Sequence, residues 1–535
     1  MKTARLIEHL RRPEAYPPGV DEVGFLQTHI SLLFFAGEHA YKVKKPLDLG
    51  FLDFSSLERR RHFCEEELRL NRRLAPDVYQ AVIPVTRDEA GVVRLAGEGE
   101  TIDWAVQMLR LPDEARMDRV YDRGEMTLED LDRLVEILVD FHATADTGPE
   151  VERYARPEAL LTLMEENLAQ IKPYSGSGGP YVLLPSVHNR LEAASRLFLA
   201  HNAELLGMRM ATGRIRDGHG DLHLQNIFLL PDRRIVVFDC IEFTPRFRCA
   251  DVAADIGFLA MDLDRRSWPE GARRVVDRYV ERTGDEDLRL LVDYYKLYFA
   301  CARGKVQAMR SAGMEVSPPE RVEAHAAARL LFELAVSYTL PPALVMLCGL
   351  PAAGKSSVAR KVADLLGAEL VRSDVLRKEL HGMRPDEHWT GGFNEGPYSE
   401  KGTRMTYDAL RQAAGTALRS GRSVVVDAGF PRRDQRVPFL ALSGSAPSPA
   451  VWVHVEVPEQ VTRERMAARK RDQAGASDAD WGTFVKLRAA FEPPDEIPEF
   501  QRLDVDGTKD TAHLRAEVLD RLLEQAGEPH IHRRH

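Results

Sequence analysis

Three polar side chains within one short stretch could carry out phosphoryl transfer. Asp221 and Asn226 lie in His219-Gly220-Asp221-Leu222-His223-Leu224-Gln225-Asn226, and Asp239 directly follows the apolar run 235–238. Transfer to a hydroxyl needs one carboxylate to accept the hydroxyl proton, and a second carboxylate with an amide oxygen to hold Mg²⁺ against the phosphates of ATP. The spacing His-x-Asp-x-x-x-x-Asn is that of the kinase catalytic loop. It predicts Asp221 as the base and Asn226 with Asp239 as metal ligands.

A hairpin is expected to bring the two metal ligands together. Two apolar runs, 227–230 and 235–238, flank the polar residues 231–234, which is a pattern typical of a tight β-hairpin. Because the two ends of a hairpin lie side by side, Asn226 and Asp239 can bind one ion. An ordinary buried hairpin after a His-Gly-Asp turn is the alternative, and only the complete spacing argues against it.

The same stretch resembles the aminoglycoside phosphotransferase family. The resemblance rests on Gly220 in the middle of the loop motif, on His223 after Asp221, and on Asp239-Cys240-Ile241-Glu242 where many protein kinases have Asp-Phe-Gly. It implies a two-lobed, protein-kinase-like fold that phosphorylates hydroxyl groups of small molecules. It leaves the acceptor open, because a fold does not determine a substrate.

The elements that would position ATP for this loop are expected in the N-terminal segment. Residues 24–45 predict strands joined by a turn, with Lys42 and Lys44 on one face of the last strand, and residues 55–74 predict a helix that contains Glu65-Glu66-Glu67. A strand lysine paired with a helix glutamate anchors the ATP phosphates in kinases. We expect Lys42 or Lys44 to pair with this triplet, through Glu67 by preference, although lysines flank many strands and glutamate triplets are usually solvated.

Two further features follow from the order of segments. Strand-forming residues 81–111 lead into a linker, where a kinase-like chain crosses between lobes, and we expect the backbone from Met108 to Arg110 to contact adenine. Asp251 and Asp255 lie one helical turn apart after the metal loop. One interpretation is that they brace the catalytic loop, and the alternative, which we favour, is that they are ordinary structural acids.

A second phosphate-binding motif follows a predicted domain boundary. Pro341-Pro342 interrupts a helical pattern and marks a linker at residues 339–342. The buried run 343–348 then leads into Gly349-Leu350-Pro351-Ala352-Ala353-Gly354-Lys355-Ser356, and residues 357–366 predict a helix. This is G-x-x-x-x-G-K-S between a strand and a helix, which is the context that confirms a P-loop.

Each part of the P-loop has an expected role. The backbone amides are expected to surround a phosphate at the helix N-terminus, and they belong to Gly349, Ala352, Ala353, Gly354, Lys355, Ser356 and Ser357. The Lys355 ammonium would reach the β- and γ-phosphates, and the Ser356 hydroxyl would bind Mg²⁺.

The segments after the P-loop indicate a kinase of small molecules. Asp374 follows a second short strand, Asp427 ends a third strand at a Walker-B-like position, and arginines crowd the helix 462–471. The order resembles the P-loop kinases related to gluconate kinase, polynucleotide kinase and zeta-toxin-like proteins. That resemblance implies Asp374 as the base, Asp427 near Mg²⁺, and Arg465 and Arg469 in a lid, although an exposed basic helix face is an equal alternative for any single arginine.

Composition restricts the class of protein. At 535 residues the chain needs two or three domains, and its 44% hydrophobic and 29% charged residues are those of a soluble globular protein. The five cysteines form no C-x-x-C pair, and neither a signal peptide nor a membrane-spanning run is evident, so we expect a cytoplasmic protein with free thiols. A net charge of −10 makes nucleic acid an unlikely partner without excluding it for the P-loop domain.

The sequence therefore predicts an α/β and α+β protein of two domains. Residues 1–338 would form the two-lobed kinase-like domain and residues 343–526 a doubly wound, parallel-sheet P-loop domain, followed by a disordered tail at 527–535. The expected activity is ATP- and Mg²⁺-dependent phosphorylation of a sugar-, aminoglycoside- or nucleoside-like hydroxyl compound. The layout resembles bacterial proteins described as bifunctional phosphotransferase and ATP-binding proteins. The alternative is that one domain only senses nucleotide and regulates the other.

Overall fold

The chain divides into two compact units. A computed structural model describes residues 3–50, 52–177, 181–314, 316–384, 387, 389, 394–444, 448–472 and 479–531. The first unit comprises residues 1–160, 202–262 and 271–292, and the second comprises residues 161–201, 263–270 and 293–535. This division assigns residues 293–338 to the second unit, whereas the sequence placed them before the linker. The predicted domain limits stay a prediction about which segments fold and function together.

The described chain contains fifteen strands and nineteen α-helices. The strands are β1 Val23–Gln27, β2 Ser31–Ala36, β3 His39–Lys44, β4 Tyr79–Arg87, β5 Val93–Leu95, β6 Glu100–Leu109, β7 Ile215–Asp217, β8 Ile227–Leu229, β9 Ile235–Val237, β10 Cys249–Asp251, β11 Leu344–Cys348, β12 Glu369–Arg372, β13 Val424–Asp427, β14 Ala450–Glu456 and β15 Arg502–Asp506. The helices are α1 Thr3–Leu10, α2 Leu57–Asn71, α3 Met117–Asp122, α4 Leu128–Thr144, α5 Pro149–Glu152, α6 Pro157–Ile171, α7 Pro185–His201, α8 Ala203–Ala211, α9 Val252–Arg265, α10 Pro269–Thr283, α11 Leu288–Ala312, α12 Pro318–Ser337, α13 Lys355–Leu366, α14 Ser373–Leu380, α15 Glu400–Arg419, α16 Arg433–Gly444, α17 Glu459–Asp472, α18 Trp481–Ala489 and α19 Thr511–Gln525.

An antiparallel sheet and helix α2 form the N-terminal part of the first unit. The sheet order is β1-β2-β3-β6-β4-β5, so the strands predicted at 24–45 and 81–111 are confirmed. Alternate side chains such as Leu32, Phe34 and Val43 enter a buried apolar cluster on one face because successive strand residues point to opposite faces. Helix α2 starts after Ser56, whose hydroxyl accepts the Arg59 N–H at 3.2 Å, an N-cap that satisfies an amide left free at the helix start.

The predicted hairpin in the first unit is also confirmed. Strands β8 and β9 pair antiparallel with Ile227 opposite Val237 and Leu229 opposite Ile235. All six residues of the two strands are buried. The Phe238 amide donates to the carbonyl of Asn226 at 3.1 Å, so the ends of the hairpin are joined directly.

The second unit contains the predicted parallel sheet. Its order is β12-β13-β11-β14-β15, and each neighbouring pair is parallel. Strand β11 lies in the centre and is buried along its whole length, with Met346, Val426 and Trp452 in one apolar cluster. Parallel strands place their carboxyl ends at one edge, where ligands bind in open α/β sheets. The protein is therefore of the mixed α/β class.

The five cysteine thiols are free and buried. Among the residues with described structure, no helix has the length and apolar character that crossing a membrane requires.

A buried arginine is expected to be critical for the stability of the first unit. Arg209 donates to Asp251 at 2.6 Å and to Asp285 at 2.6 Å, and its side chain is 3% exposed. Arg209→Met would leave the buried Asp251 carboxylate without its cation and Asp285 with only Arg214 at 3.6 Å, which we expect to lower the free energy of unfolding by about 3–5 kcal/mol. Urea denaturation checks this value. The matched control is Arg12→Met in the exposed Arg12–Glu8 pair, for which a change below about 1 kcal/mol is expected; equal losses would contradict the assignment.

Candidate functional site

The loop that carries Asp221 is held by a buried carboxylate. Asp255 accepts the backbone N–H groups of His219 at 2.8 Å and of Gly220 at 2.9 Å. Gly220 has a φ of 81°, and a Cβ there would lie 2.7 Å from the carbonyl oxygen of Phe247. The loop therefore requires glycine at this position. Asp255 braces the loop, which was the less favoured interpretation of the sequence, whereas Asp251 binds Arg209.

Asp221 is oriented by its neighbours and remains accessible. The Asn226 side-chain amide donates to the Asp221 carbonyl at 3.0 Å and to its Oδ2 at 3.1 Å. His223 Nε2 lies 3.4 Å from the same Oδ2. With 30% of its side chain exposed, the Asp221 carboxylate can meet a hydroxyl group from solvent. Burial lowers the pKa of the nearby His219, which favours a neutral imidazole beside the loop.

Asp239 adopts a backbone conformation that is costly for a residue with a side chain. Its φ is 64°, in the left-handed region. Its N–H donates to the Tyr79 hydroxyl at 3.3 Å, and the next N–H, of Cys240, donates to Asn71 Oδ1 at 2.8 Å. These contacts hold the turn that presents the Asp239 carboxylate, whose side chain is 39% exposed.

The structure distinguishes between the two candidate lysines and among the three glutamates. Lys42 Nζ lies 2.7 Å from Glu67 Oε1 and 2.6 Å from Asp239 Oδ1. Lys44 Nζ lies 2.7 Å from Glu67 Oε2 and is wholly buried, whereas the Lys42 side chain is 12% exposed. Glu65 and Glu66 pair with arginines of their own helix at its surface. Lys42 and Glu67 are therefore the pair that meets Asp239.

Charges inside this cluster determine its protonation. Burial alone would raise the pKa of Glu67, but the ammonium groups of Lys42 and Lys44 outweigh it and lower that pKa. Burial would lower the pKa of Lys42, but Asp239, Glu67 and Glu242 outweigh it and raise that pKa. Both members of the pair are therefore held in their charged forms.

The expected adenine contact lies at the end of β6. Met108 is buried and pairs with both Ala40 and Tyr79 in the sheet. The following amides are engaged, because Leu109 N–H donates to Val78 and Arg110 N–H donates to Glu38, each at 2.8 Å. A contact from Met108 to Arg110 to adenine stays a prediction, and with this hydrogen bonding it would use carbonyl groups.

The first unit offers oxygen ligands suited to a small divalent cation. Asn226 and Asp239 stand at adjoining ends of the hairpin, and amide and carboxylate oxygens are ligands that Mg²⁺ accepts. Over the described part of the chain, no group of three or more His, Cys, Asp and Glu side chains could hold a metal ion. Since Mg²⁺ is usually held by one or two protein carboxylates together with nucleotide phosphates, this sparse set fits Mg·ATP and does not fit a metal bound by protein alone.

The P-loop of the second unit has the tight backbone that its glycines predict. Gly349 has a φ of 132°, Ala352 of 62° and Gly354 of 107°. A Cβ on Gly349 would lie 2.5 Å from the carbonyl oxygen of Val455. Lys355 Nζ donates to the Leu350 carbonyl at 2.8 Å, so the lysine folds back over the loop. Ser356 and Ser357 lie in the first turn of α13.

Two predicted acids lie beside the P-loop. Asp427 ends β13 opposite Leu347 of β11 and pairs with Arg372 at 3.4 Å. Asp374 lies in the first turn of α14. Burial and the neighbouring Asp427 carboxylate raise the pKa of Asp374, against the opposing effect of cations that include Lys355. The sheet thus brings both acids to the edge that carries the P-loop.

The arginines of α17 have separate surroundings. Arg465 donates to the carbonyl oxygens of Ala353 at 2.9 Å and Gly507 at 2.8 Å, so it already covers the P-loop. Arg463 lies 4.2 Å from the Trp481 ring centroid. The side chain of Arg469 lies outside the described residues.

Sequence reasoning gave no role to four residues of the first site. Glu242 contacts Lys44, and Asn71, Tyr79 and Arg73 contact the backbone on either side of the motif. Asn71 lies one helical turn after Glu67 on the same face, a spacing that could have revealed it. Nothing in the sequence indicates Tyr79, because its role depends on which strand passes the metal loop.

Comparison with known proteins supports part of this description. Residues 344–494 match the family model described as AAA domain. Two proteins of uncharacterised function, from Mycobacterium bovis and Mycobacterium tuberculosis strain H37Rv, are each 29% identical over 88% of this chain and 94% of their own. Similar solved structures include a sugar kinase of Janibacter sp. (19% identity, 35% of this chain, 96% of that chain, TM-score 0.28) and a gluconokinase of Sinorhizobium meliloti (22%, 35%, 94%, 0.26). Together with the strand order and the loop, the family match identifies residues 344–494 as a P-loop, nucleotide-binding type of domain.

Two glycines with positive φ provide a test of the P-loop geometry. Gly349→Ala would place a methyl group against a backbone carbonyl that cannot move away, and we expect it to abolish labelling of residues 344–494 by an azido-ATP analogue. Gly367 also has positive φ, at 59°, but nothing lies within 4 Å of its Cβ position. Gly367→Ala should therefore cost about 1–2 kcal/mol of stability and retain labelling. Peptide mapping after photolysis gives the result, and normal labelling of folded Gly349→Ala would contradict this geometry.

Proposed function

We propose that the chain is an ATP- and Mg²⁺-dependent phosphotransferase with two separate sites, each acting on a hydroxyl group of a small molecule. For the first unit, one observation carries the proposal: Lys42 Nζ lies between Glu67 and Asp239, at 2.7 Å and 2.6 Å. A lysine held between a helix glutamate and a metal-binding aspartate is the arrangement that protein-kinase-like folds use to anchor phosphates. The two-lobed, kinase-like fold of residues 1–338 is part of this proposal.

The residues of the first unit have distinct roles in the transfer. Asp221 accepts the proton of the acceptor hydroxyl as its oxygen forms a bond to the γ-phosphorus, and the bond from that phosphorus to the β,γ-bridging oxygen breaks to release ADP. Lys42 neutralises phosphate charge, and Glu67 positions Lys42. Asn226 and Asp239 would hold Mg²⁺, which supplies charge stabilisation for the phosphate oxygens. Asn226 also keeps Asp221 in place, through its hydrogen bond at 3.1 Å.

A second set of roles is proposed for the P-loop domain. Its backbone amides and Lys355 bind the β- and γ-phosphates, and Ser356 with Asp427 would hold the cation. Asp374, whose raised pKa reflects burial and Asp427, is suited to take a proton because a base works best with a pKa nearer to neutral pH. Arg465 and Arg469 would close over the transferred group as a lid.

The acceptor classes that we propose are sugar-like, aminoglycoside-like and nucleoside-like hydroxyl compounds. A short oligonucleotide is retained as a candidate for the P-loop domain alone. Screening the purified chain for acceptor-dependent ATP consumption across these four classes identifies the acceptor of each site. Repeating the positive reactions with the variants below assigns each acceptor to one site.

The two-site proposal predicts a stoichiometry. Calorimetric titration of the full chain with a non-hydrolysable ATP analogue and Mg²⁺ should give about two sites per chain, and about one after Lys355→Ala, because that lysine supplies the phosphate-binding charge of the P-loop. Lys361→Ala is the matched control on the same helix, outside the motif. An unchanged stoichiometry after Lys355→Ala would show that the P-loop binds no nucleotide.

Removing either of two carboxylates of the first site should affect turnover and Mg·ATP binding differently. Asp221→Asn removes the proton acceptor but no phosphate or metal contact, so we expect kcat to fall by about 10²–10⁴-fold with little change in ATP binding. Asp239→Ala removes a metal ligand and should also weaken Mg·ATP binding. Steady-state kinetics on an identified acceptor, with calorimetry, separates the two effects. Near-normal turnover by Asp221→Asn would refute its assignment as base.

A nucleotide sensor in one unit is the second candidate function. The second unit is the better candidate for the sensor. Arg465 donates hydrogen bonds to the P-loop carbonyl of Ala353 and must move to contact a phosphate. In this case Lys355→Ala would change turnover at the first site, and no acceptor would be phosphorylated at the second site. Two catalytic sites predict that each variant affects only its own reaction.

A further inference from the structure

A chain of alternating charges connects both ends of the short loop 239–242. It runs from Asp239 to Lys42, then to Glu67, Lys44 and Glu242, with N···O distances of 2.6, 2.7 and 2.7 Å for the first three contacts and a close contact between Lys44 and Glu242. Both oxygens of the Glu67 carboxylate are used, one by each lysine. The loop that carries the proposed metal ligand is therefore tied to α2 and β3 at two points.

The exposure of the side chains differs between the two ends of this chain of charges. The side chains of Lys44 and Glu67 are fully buried and Glu242 is 5% exposed, whereas Lys42 is 12% and Asp239 39% exposed. Lys44 therefore cannot reach a bound nucleotide, but Lys42 and Asp239 can. A buried carboxylate that loses its cation strongly destabilises the folded protein. If Lys42 alone neutralised Glu67, moving the Lys42 ammonium towards a phosphate would leave Glu67 uncompensated.

We propose that Lys44 and Glu242 are positioning residues that keep Glu67 neutralised while Lys42 binds phosphate. The inference rests on the proposed function, in which Lys42 anchors ATP in the first unit. Lys44 stays on Glu67 Oε2 in every state, so α2 remains attached to β3 when Lys42 turns to the nucleotide. Glu242 compensates the charge of Lys44 and attaches the end of the loop 239–242 to that lysine, and through it to Glu67. This attachment fixes the distance from Asp239 to Lys42.

The net charge of this cluster predicts how each variant should behave. The chain of charges contains three carboxylates and two ammonium groups. Lys44→Met removes one positive charge, so Lys42 is bound more strongly by the surrounding acids and is less available to phosphate. Glu242→Gln removes one negative charge and should release Lys42. The double variant Lys44→Met/Glu242→Gln has the net charge of the natural cluster and approximately its volume.

The test measures nucleotide binding in the full chain carrying Lys355→Ala, so that only the first site is counted. The probe is a non-hydrolysable ATP analogue with Mg²⁺, titrated by calorimetry. Relative to this parent, we expect Lys44→Met to raise the dissociation constant about tenfold or more, and Glu242→Gln to leave it within about threefold or lower it. The double variant should stay about tenfold or more weaker than the parent, because Lys42 is then the only cation on the buried Glu67 carboxylate. Lys45→Met, the loss of an adjacent lysine outside the charge chain, is the matched control and should not change binding.

Each other result has a definite meaning. Unchanged binding by Lys44→Met, or a folded double variant that binds as tightly as the parent, overturns the proposal, since the first result removes the electrostatic role and the second shows that Glu67 needs no second cation. If Lys44→Met alone does not fold, the double variant decides in the same way. A merely structural role would lower the unfolding temperature and leave the dissociation constant unchanged. Absence of binding by the parent would instead refute nucleotide binding in the first unit.

Discussion

The buried carboxylate of Glu67 is the constraint on which the first site depends. An ionised glutamate without solvent exposure requires nearby cations, and β3 supplies two of them from residues 42 and 44. Because alternate strand residues share a face, one carboxylate can bind both lysines. Lys42 is thereby placed beside Asp239, and α2, the sheet and the metal loop are held together by charge in a region where a misplaced group would be costly.

Hydrogen bonds to backbone amides hold the two loops of the first site in addition to these ion pairs. Asp255 binds two successive amides of the catalytic loop, while Tyr79 and Asn71 bind the amides at the metal loop. Left-handed conformations at residues with side chains persist only where their surroundings hold them, and Asp239 has such surroundings. The reactive side chains of Asp221 and Asp239 thus remain partly exposed on a rigid, buried support.

The P-loop of the second unit is held mainly by its backbone. The loop is shaped by close backbone approach, with Gly349 against the Val455 carbonyl, and by the central position of β11 in a parallel sheet. In the proposed function, phosphate would be bound there by backbone amides at a helix N-terminus. Arg465 binds loop carbonyls directly, which links any movement of α17 to the state of the P-loop.

The sequence by itself determined the local elements, since hydrophobic periodicity, caps and glycine positions act over a few residues: the β8–β9 hairpin and the strand before the P-loop follow from it. It left open whether Lys42 or Lys44 lies between Glu67 and Asp239, and it did not reveal the contact of Tyr79 with the Asp239 amide. Those questions depend on which segments far apart in the chain meet, such as β3 with the loop 239–242. Only the tertiary structure decided them, because burial and ion pairing are properties of the assembled fold and not of neighbouring residues.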